Sequence, residues 1–307
     1  MGNEIILVDI GSSTVKMYLA NENQILLKKI ENIFFNVEFS PDGLSPDNEK
    51  KLVEFLLNLK KDYPSVPIFI YATAVFRKLN VEARKKLSDK IYEKTELIFN
   101  LISHEMENFY LEQALLDNFD LKEPVLLINV GGGSTEFVVV NNKKSIERKN
   151  IDIGVGALLK KFPEVNNELS SIDKKIIIDF IEPELPDIEN KPSKAFYTGG
   201  ELSYMQLANY PLKKNIFFND SAHPSVISFE DFSIKNDEVF SKIKLSELEK
   251  LMPDSPKWMH GARVCSAFVE AICKKYNIGH IIPSDSNLID GIFAHQFKDK
   301  ALRLSGE

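Results

Sequence analysis

The chain has 307 residues, of which 44% are hydrophobic and 27% are charged, and its formal net charge at pH 7 is −7. This composition is typical of a folded globular protein, and the acidic balance argues against a general nucleic-acid binder, which is more often basic. No stretch approaches the ~18 apolar residues of a membrane-spanning helix, and acidic residues near the N-terminus argue against a signal peptide, so we predict a cytoplasmic protein that binds neither nucleic acid nor membranes.

The first part of the chain alternates short apolar runs with amphipathic segments. Helices are predicted at residues 47–62, 81–94 and 104–118, and the first of them has a capping serine, Ser45, followed by a proline at its first position. Strands are predicted at residues 5–9, 15–20, 25–30, 68–72 and 96–100. This alternation predicts an α/β lobe.

Proline and charge at residues 121–124 indicate a joint, so we predict two domains, residues 1–124 and residues 125–307. The second domain begins with three predicted strands, at residues 125–129, 135–140 and 145–153, and then becomes helical. Later segments are predicted as loops at residues 183–193 and 211–225 and as helices at residues 257–276 and 288–298.

Two loops rich in glycine and hydroxyl side chains follow apolar strands in the two halves of the chain. Residues 9–14 read Asp-Ile-Gly-Ser-Ser-Thr, and residues 129–136 read Asn-Val-Gly-Gly-Gly-Ser-Thr-Glu. Alternating segments resume after both, which predicts hairpin bends whose N–H groups and hydroxyls can bind anions. One such turn is most often only a turn. Two of them, with an acidic residue at matching positions, favour a pair of phosphate-binding hairpins in two similar lobes.

Four segments occur in an order that carries a more specific signal. They are residues 9–14, Thr-Ala-Val-Phe-Arg at 73–77, Ile-Ser-His-Glu-Met-Glu at 102–107, and Gly-Gly-Gly-Ser-Thr-Glu at 131–136. Together they resemble the exopolyphosphatase and guanosine pentaphosphate phosphatase (Ppx/GppA) family, in its short two-domain form. The resemblance implies an α/β fold of two ribonuclease H-like lobes, as in the actin-like ATPase superfamily, with an interdomain cleft that grips phosphate chains.

The resemblance also implies roles for individual residues. Glu107 takes the place of the family's catalytic glutamate and is the expected general base; Glu105 is the competitor, and a purely helix-stabilising role is the alternative. Arg77 follows a predicted strand and is expected to assist catalysis by holding phosphate bidentately. The expected phosphate-binding residues are Gly11, Ser12, Ser13, Thr14, Gly132, Gly133, Ser134 and Thr135.

A divalent cation, Mg²⁺ or another, is the implied cofactor. Asp9 and Glu136 are its expected carboxylate ligands, although Asp9 has the alternative role of stabilising its turn. Asn129 is the expected third ligand, at a position where the family has aspartate, so this chain is expected to bind the metal more weakly. His104 replaces a usual glycine, and we interpret it as a substitution without a catalytic role.

The leading hypothesis is a Mg²⁺-dependent hydrolase that releases terminal phosphate from inorganic polyphosphate or guanosine pentaphosphate (pppGpp). One alternative is a sensor that binds these anions without hydrolysing them, which the loss of charge at Asn129 favours. The other is a kinase of the same fold, which is disfavoured because residues 198–201 form only a partial adenosine-binding signature. The sequence leaves the choice between a monomer and a homodimer open.

Overall fold

A computed structural model of the chain describes residues 4–21, 23–115, 123–142, 144–217, 222–253 and 255–295. The chain divides into two compact units, one formed by Met1–Tyr110 with Leu288–Glu307 and the other by Leu111–Asn287. This division differs from the predicted domains, 1–124 and 125–307, at both ends of the second unit. Residues 121 and 122 of the predicted joint lie outside the described residues. The ribonuclease H-like assignment of each domain stays a prediction.

The first unit contains a five-stranded sheet with the order β3-β2-β1-β4-β5. Strands β1, β2 and β3 are antiparallel neighbours, whereas β1, β4 and β5 run parallel to one another. The strands are β1 (Ile5–Ile10), β2 (Thr14–Ala20), β3 (Ile25–Asn32), β4 (Ile68–Ala72) and β5 (Phe99–Leu101). The helices are α1 (Pro46–Asp62), α2 (Val81–Thr95), α3 (His104–Leu115), which continues into the second unit, and α10 (Leu288–Phe293), with a short 3₁₀ helix at Ala74–Lys78.

The second unit contains a seven-stranded sheet with the order β10-β11-β12-β9-β6-β7-β8. Its strands are β6 (Val125–Val130), β7 (Thr135–Asn141), β8 (Lys144–Ile151), β9 (Lys194–Thr198), β10 (Lys213–Lys214), β11 (Ser225–Ser228) and β12 (His280–Pro283). Its helices are α4 (Val155–Lys161), α5 (Lys174–Ile181), α6 (Glu201–Leu207), α7 (Phe229–Ser241), α8 (Leu245–Leu251) and α9 (Ala262–Tyr276). Three 3₁₀ helices lie at Pro163–Asn166, Glu182–Glu184 and Pro256–Gly261. The order β8-β7-β6-β9-β12 repeats the order of the first sheet, with the same antiparallel and parallel pairings.

Most predicted elements are confirmed, with differences in both units. The strand predicted at residues 96–100 is observed at Phe99–Leu101, and the loop predicted at residues 183–193 begins within the 3₁₀ helix Glu182–Glu184. The loop predicted at residues 211–225 contains the short strand β10, and the helix predicted at residues 257–276 is a 3₁₀ turn followed by α9. The ends of two predicted helices, beyond residues 115 and 295, lie outside the described residues. None of the helices in the described part of the chain is long and apolar enough to span a membrane.

Each sheet is covered on both faces, which explains why its central strand is apolar without alternation. In β1, Ile6 and Val8 pack into one core cluster and Ile5 and Leu7 into another. In β6, side chains alternate in the same way between two clusters of the second unit.

The same clusters explain why the unit boundaries differ from the predicted ones. Leu111 and Leu115, in the last turns of α3, pack with the second sheet. Ile289 and Ile292 of α10 pack with the first sheet. The apolar faces of these segments, rather than their order in the chain, therefore decide to which unit they belong.

A buried carboxyl group lies next to β9 in the second unit. Glu201, the first residue of α6, is 5% exposed. Burial raises its pKa to about 8, against the opposing effect of a hydrogen bond from Tyr197 and with a smaller contribution from Asp285. Glu201 is therefore protonated at neutral pH in the folded protein but ionised in the unfolded chain, whose reference value is 4.5.

This difference predicts how stability depends on pH. Between pH 4.5 and about 8 the unfolded chain has released the Glu201 proton and the folded chain retains it, so the contribution of Glu201 to stability falls as pH rises. Glu201→Gln removes this loss, and we expect its stability relative to the natural chain to rise between pH 5 and pH 8 by on the order of 2 kcal/mol. Urea unfolding of both proteins at each pH measures the difference. A pH-independent difference would contradict this account.

Candidate functional site

The two predicted hairpin loops have the same local geometry. In the first unit the N–H of Gly11 donates a hydrogen bond of 2.9 Å to the carbonyl of Thr14. In the second unit the N–H of Gly131 donates to the carbonyl of Ser134, also at 2.9 Å. Each loop is thus a four-residue turn that joins two antiparallel strands. The prediction that each loop is a hairpin bend is confirmed.

Behind each turn, an acidic residue lies directly opposite a donor on the neighbouring strand. In the first hairpin Asp9 of β1 is opposite Lys16 of β2, and its Oδ2 is 3.6 Å from the lysine Nζ. In the second hairpin Glu136 of β7 is opposite Asn129 of β6, and Asn129 Nδ2 donates to Glu136 Oε2 at 2.8 Å. The acids therefore stand on opposite strands of the two hairpins, which corrects the expectation that they occupy matching positions.

Both carboxyl groups are buried, so each needs compensation within the protein or from a ligand. Burial raises the pKa of Asp9, and Lys16 opposes that rise. Glu136 is 1% exposed, and its Oε1 accepts a second hydrogen bond, of 2.7 Å, from Ser134 Oγ. The hydroxyl of Thr135 donates to the carbonyl of Ile153. The hydroxyl hydrogens of these two predicted phosphate-binding residues are thus used inside the second unit.

Ser12, in the first loop, differs from Ser134 and Thr135 because its hydroxyl makes no hydrogen bond within the described part of the chain. Its side chain is 4% exposed, and its Oγ has no hydrogen-bond partner among the described residues. Buried hydroxyls are nearly always hydrogen-bonded, so an unpartnered one points to a ligand that supplies the missing acceptor. A phosphate oxygen is such an acceptor.

The second loop rests on the chain segment that follows β8. The N–H groups of Val155 and Gly156, in the first turn of α4, donate to the carbonyls of Gly131 and Gly132, each at 2.9 Å. Gly154 approaches the loop so closely that a Cβ on it would lie 2.3 Å from the Gly131 carbonyl oxygen and 2.7 Å from the Gly133 nitrogen. Only glycine permits this close contact. The hydrogen bonds from Val155 and Gly156 then hold the loop carbonyls turned towards α4.

In the first unit, the loop and the predicted catalytic residues leave the same edge of the sheet, because β1, β4 and β5 are parallel. Thr73 follows β4, and its N–H donates to the carbonyl of Ile10 at the end of β1. The 3₁₀ helix that carries Arg77 follows, and α3, which carries Glu107, begins after β5. This is the edge at which open α/β sheets bind ligands.

Arg77 and Glu107 form a direct ion pair in this unit. Arg77 Nη1 lies 2.6 Å from Glu107 Oε2 and also donates to the carbonyl of Ile102 at 3.1 Å. Glu107 is 9% exposed, whereas Glu105 is exposed to solvent. Burial and this contact favour Glu107 over Glu105 as the functional carboxylate. The motif that contains Arg77 did not predict this contact.

The predicted cation ligands have contacts that do not fit a resident cation shared by Asn129 and Glu136. Asn129 turns the N–H group of its side chain towards Glu136. Mg²⁺ is coordinated by oxygen atoms, and an N–H group cannot coordinate a metal. Asp9 has the ammonium group of Lys16 beside it. The assignment of these three residues as ligands stays a prediction, and no chemical step below depends on it.

Comparison with known proteins adds a family assignment to this geometry. The sequence model of the Ppx/GppA phosphatase family matches residues 45–296. The chain belongs to this family. The resemblance noted from the four sequence segments is thereby confirmed.

Among solved structures of the Ppx/GppA family, an exopolyphosphatase from Cytophaga hutchinsonii is 14% identical, with a TM-score of 0.78 over 96% of this chain and 98% of the other. A family member from Aquifex aeolicus is 19% identical, with a TM-score of 0.72 over 99% of both chains. These similarities confirm the predicted fold class, a mixed α/β protein with two sheets and the actin-like ATPase fold. A bifunctional 3-dehydroquinate synthase/phosphatase from Fusobacterium nucleatum is 27% identical over 207 residues, which are 60% of this chain but 30% of that protein.

Three features of this Ppx/GppA family member were missed from its sequence. Lys16 pairs with Asp9, Gly154 packs against the second loop, and Asp285, after β12, accepts hydrogen bonds from the N–H and the hydroxyl of Ser203. Lys16 could have been found by counting equal distances from the first turn along both strands. For Gly154 and Asp285 the sequence shows only a glycine or an acid after a strand, and this does not predict which residues they contact.

The packing of Gly154 generates a matched pair of substitutions. Gly154→Ala introduces a methyl group where the loop backbone lies, and we expect it to lower the free energy of unfolding by about 1–3 kcal/mol and to reduce phosphate binding. Gly279→Ala is the control, because its methyl group would meet only the Ser193 carbonyl oxygen, at 3.8 Å. Urea unfolding and polyphosphate binding measure both effects. Equal effects of the two substitutions would show that the contact with the loop is unimportant.

Proposed function

We propose that the protein is a phosphoanhydride hydrolase that releases terminal phosphate from inorganic polyphosphate or guanosine pentaphosphate. The observation that carries the proposal is the Arg77–Glu107 pair, at the sheet edge from which the first phosphate loop also leaves. Membership of a phosphatase family and the fold of solved exopolyphosphatases support it. Phosphoryl transfer requires mainly that the reacting groups are positioned and that their charge is stabilised. Glu107 can position the attacking water, and Arg77 can stabilise negative charge.

Glu107 acts as the general base in this proposal. Its carboxylate accepts a proton from the attacking water, whose oxygen forms a bond to the terminal phosphorus while the bond from that phosphorus to the bridging oxygen breaks in line with it. Arg77 orients the carboxylate through the 2.6 Å contact and adds positive charge beside the phosphoryl group. The remaining phosphate chain leaves with one unit fewer.

Each loop offers groups that can bind phosphate oxygens. In the first loop, the unpartnered hydroxyl of Ser12 donates to a phosphate oxygen, with Gly11, Ser13 and Thr14 forming the surrounding turn. In the second loop, Gly132 and Gly133 offer backbone N–H groups. The protein carries a net charge of −7, so it must attract a polyanion locally, and N–H groups and hydroxyls do this without added charge. A divalent cation enters the proposal with the substrate, as a counter-ion of the phosphate chain.

The base assignment has an internal control. Glu107→Gln keeps the size of the side chain but cannot take a proton, and we expect kcat for phosphate release to fall by roughly 10²-fold or more with substrate binding retained. Glu105→Gln, the same change two residues away at an exposed position, should leave kcat near that of the natural chain. Phosphate release from polyphosphate, guanosine pentaphosphate and ATP measures kcat and KM. Full activity of Glu107→Gln, or loss of activity in Glu105→Gln, would reassign the base.

Ser12→Ala separates a ligand-binding hydroxyl from a structural one. Removing a buried hydroxyl without a partner should stabilise the ligand-free protein by about 1 kcal/mol, because its desolvation is uncompensated. The same substitution should weaken polyphosphate binding about tenfold. Ser65→Ala, at an exposed position of the first unit outside the loop, serves as the control for both measurements. If Ser12→Ala lowers the stability of the ligand-free protein and leaves binding unchanged, Ser12 does not bind phosphate.

The same assays separate the alternatives. A sensor would bind polyphosphate or guanosine pentaphosphate in calorimetry and release no phosphate. A kinase would transfer phosphate from ATP to a second substrate. Localisation in the cytoplasm and assembly into a homodimer stay predictions.

A further inference from the structure

The pair formed by Asn129 and Glu136 is the feature on which this inference rests. The two residues face each other across the antiparallel strands β6 and β7; Asn129 lies two residues before Gly131, where the turn begins, and Glu136 lies two residues after Ser134, where it ends. The amide Nδ2 of Asn129 donates to Oε2 of Glu136 at 2.8 Å, and Ser134 Oγ donates to Oε1 at 2.7 Å. Both oxygens of a carboxylate that is 1% exposed thus accept a hydrogen bond from the same unit.

An aspartate in place of Asn129 would change the electrostatics of this pair. Two carboxylates would lie opposite each other at the distance of the present hydrogen bond, one of them buried at residue 136 and the other half-buried at residue 129. Like charges directly opposite on neighbouring strands are destabilising. A divalent cation bound between the two carboxylates would compensate their charge. The amide makes the cation unnecessary because its N–H supplies the positive end of a dipole at the same place.

In the first hairpin, too, a donor on the neighbouring strand compensates the charge of a buried carboxylate. Asp9 stands opposite Lys16, and the lysine ammonium is 3.6 Å from the carboxylate. The acid is on the first strand there and on the second strand in the other hairpin. In both hairpins a donor of the protein itself, directly opposite the acid, takes the place where a metal would compensate the charge.

We propose that Asn129 replaces a resident divalent cation at Glu136, so that the second loop is ordered for phosphate binding without a bound metal. This inference deepens the proposed function and rests on its assignment of the loop as a phosphate site. It assigns Asn129 as a positioning residue that holds Glu136 through its N–H, and it gives the protein a phosphate site that operates with cations only as counter-ions of the substrate.

The test measures binding of Mn²⁺, as a probe for a hard divalent cation, to the substrate-free protein by calorimetry. We expect Asn129→Asp to bind an additional Mn²⁺ ion, at least about tenfold more tightly than the natural chain binds any ion through Glu136, because a second carboxylate raises the ligand charge. The double variant Asn129→Asp/Glu136→Gln should lose that ion. Asn209→Asp adds the same charge at an exposed position of the second unit and should gain none.

A second readout follows polyphosphate binding. In the presence of EDTA, Asn129→Asp should bind polyphosphate about tenfold more weakly than the natural chain, because the hairpin then carries one more negative charge. Added Mg²⁺ should restore binding in the variant more than it improves binding in the natural chain. Neither readout measures phosphate release, so a protein that releases no phosphate would contradict the proposed hydrolase without affecting this result.

Two outcomes would overturn the inference. One is loss of a Mn²⁺ ion from the otherwise natural chain on Glu136→Gln, which would show that Glu136 holds a resident metal beside Asn129. The other is a folded Asn129→Asp variant that binds no additional ion. If circular dichroism shows that Asn129→Asp does not fold, Glu136→Gln alone decides: unchanged Mn²⁺ binding supports the inference, and loss of an ion overturns it.

Discussion

Each candidate phosphate loop depends on a carboxylate buried directly behind its turn. A buried carboxylate is stable only if donors or a cation compensate it, and in both hairpins the strand opposite supplies the donor. Asp9 has Lys16, and Glu136 has Asn129 together with Ser134. These contacts tie the two strands together at the point where the backbone turns, and the turn itself is closed by one hydrogen bond from its first glycine. The shape of each loop thus depends on the donors that compensate its buried carboxylate.

The two loops are supported differently beyond this shared pattern. The second loop is held from outside by the first turn of α4, and the absence of a side chain at Gly154 is what permits the contact. In the first loop, the Asn36 N–H donates to the Ser12 carbonyl at 3.3 Å, while the Ser12 hydroxyl has no partner among the described residues. One loop therefore uses its hydroxyls in its own hydrogen bonds, and the other has a buried hydroxyl that makes no hydrogen bond within the described part of the chain.

Parallel strands explain how residues distant in sequence serve one edge of the first sheet. The loop after β1, the 3₁₀ helix after β4 and helix α3 after β5 all start where parallel strands end. Backbone bonds at Thr73 and Ile102 fix these starting points to the ends of the neighbouring strands. The ion pair between Arg77 and Glu107 then bridges two of the three segments. The general base that we propose, Glu107, is thereby held in place before the reaction, which is the usual advantage of a preorganised site.

Local patterns in the sequence determined the strands, most helices, the hairpin loops and the family, because apolar periodicity, capping residues and glycine turns act over a few neighbouring residues. Tertiary structure decided what those patterns leave open. It buried Glu107 against Arg77 and left Glu105 exposed, it turned the amide nitrogen of Asn129 towards Glu136, and it placed α10 with the first unit. Such choices depend on contacts between residues far apart in the chain, whose energies are set by burial and by the charge of the partner. A single sequence states which residues are present, but only the packed fold determines which of them compensate one another.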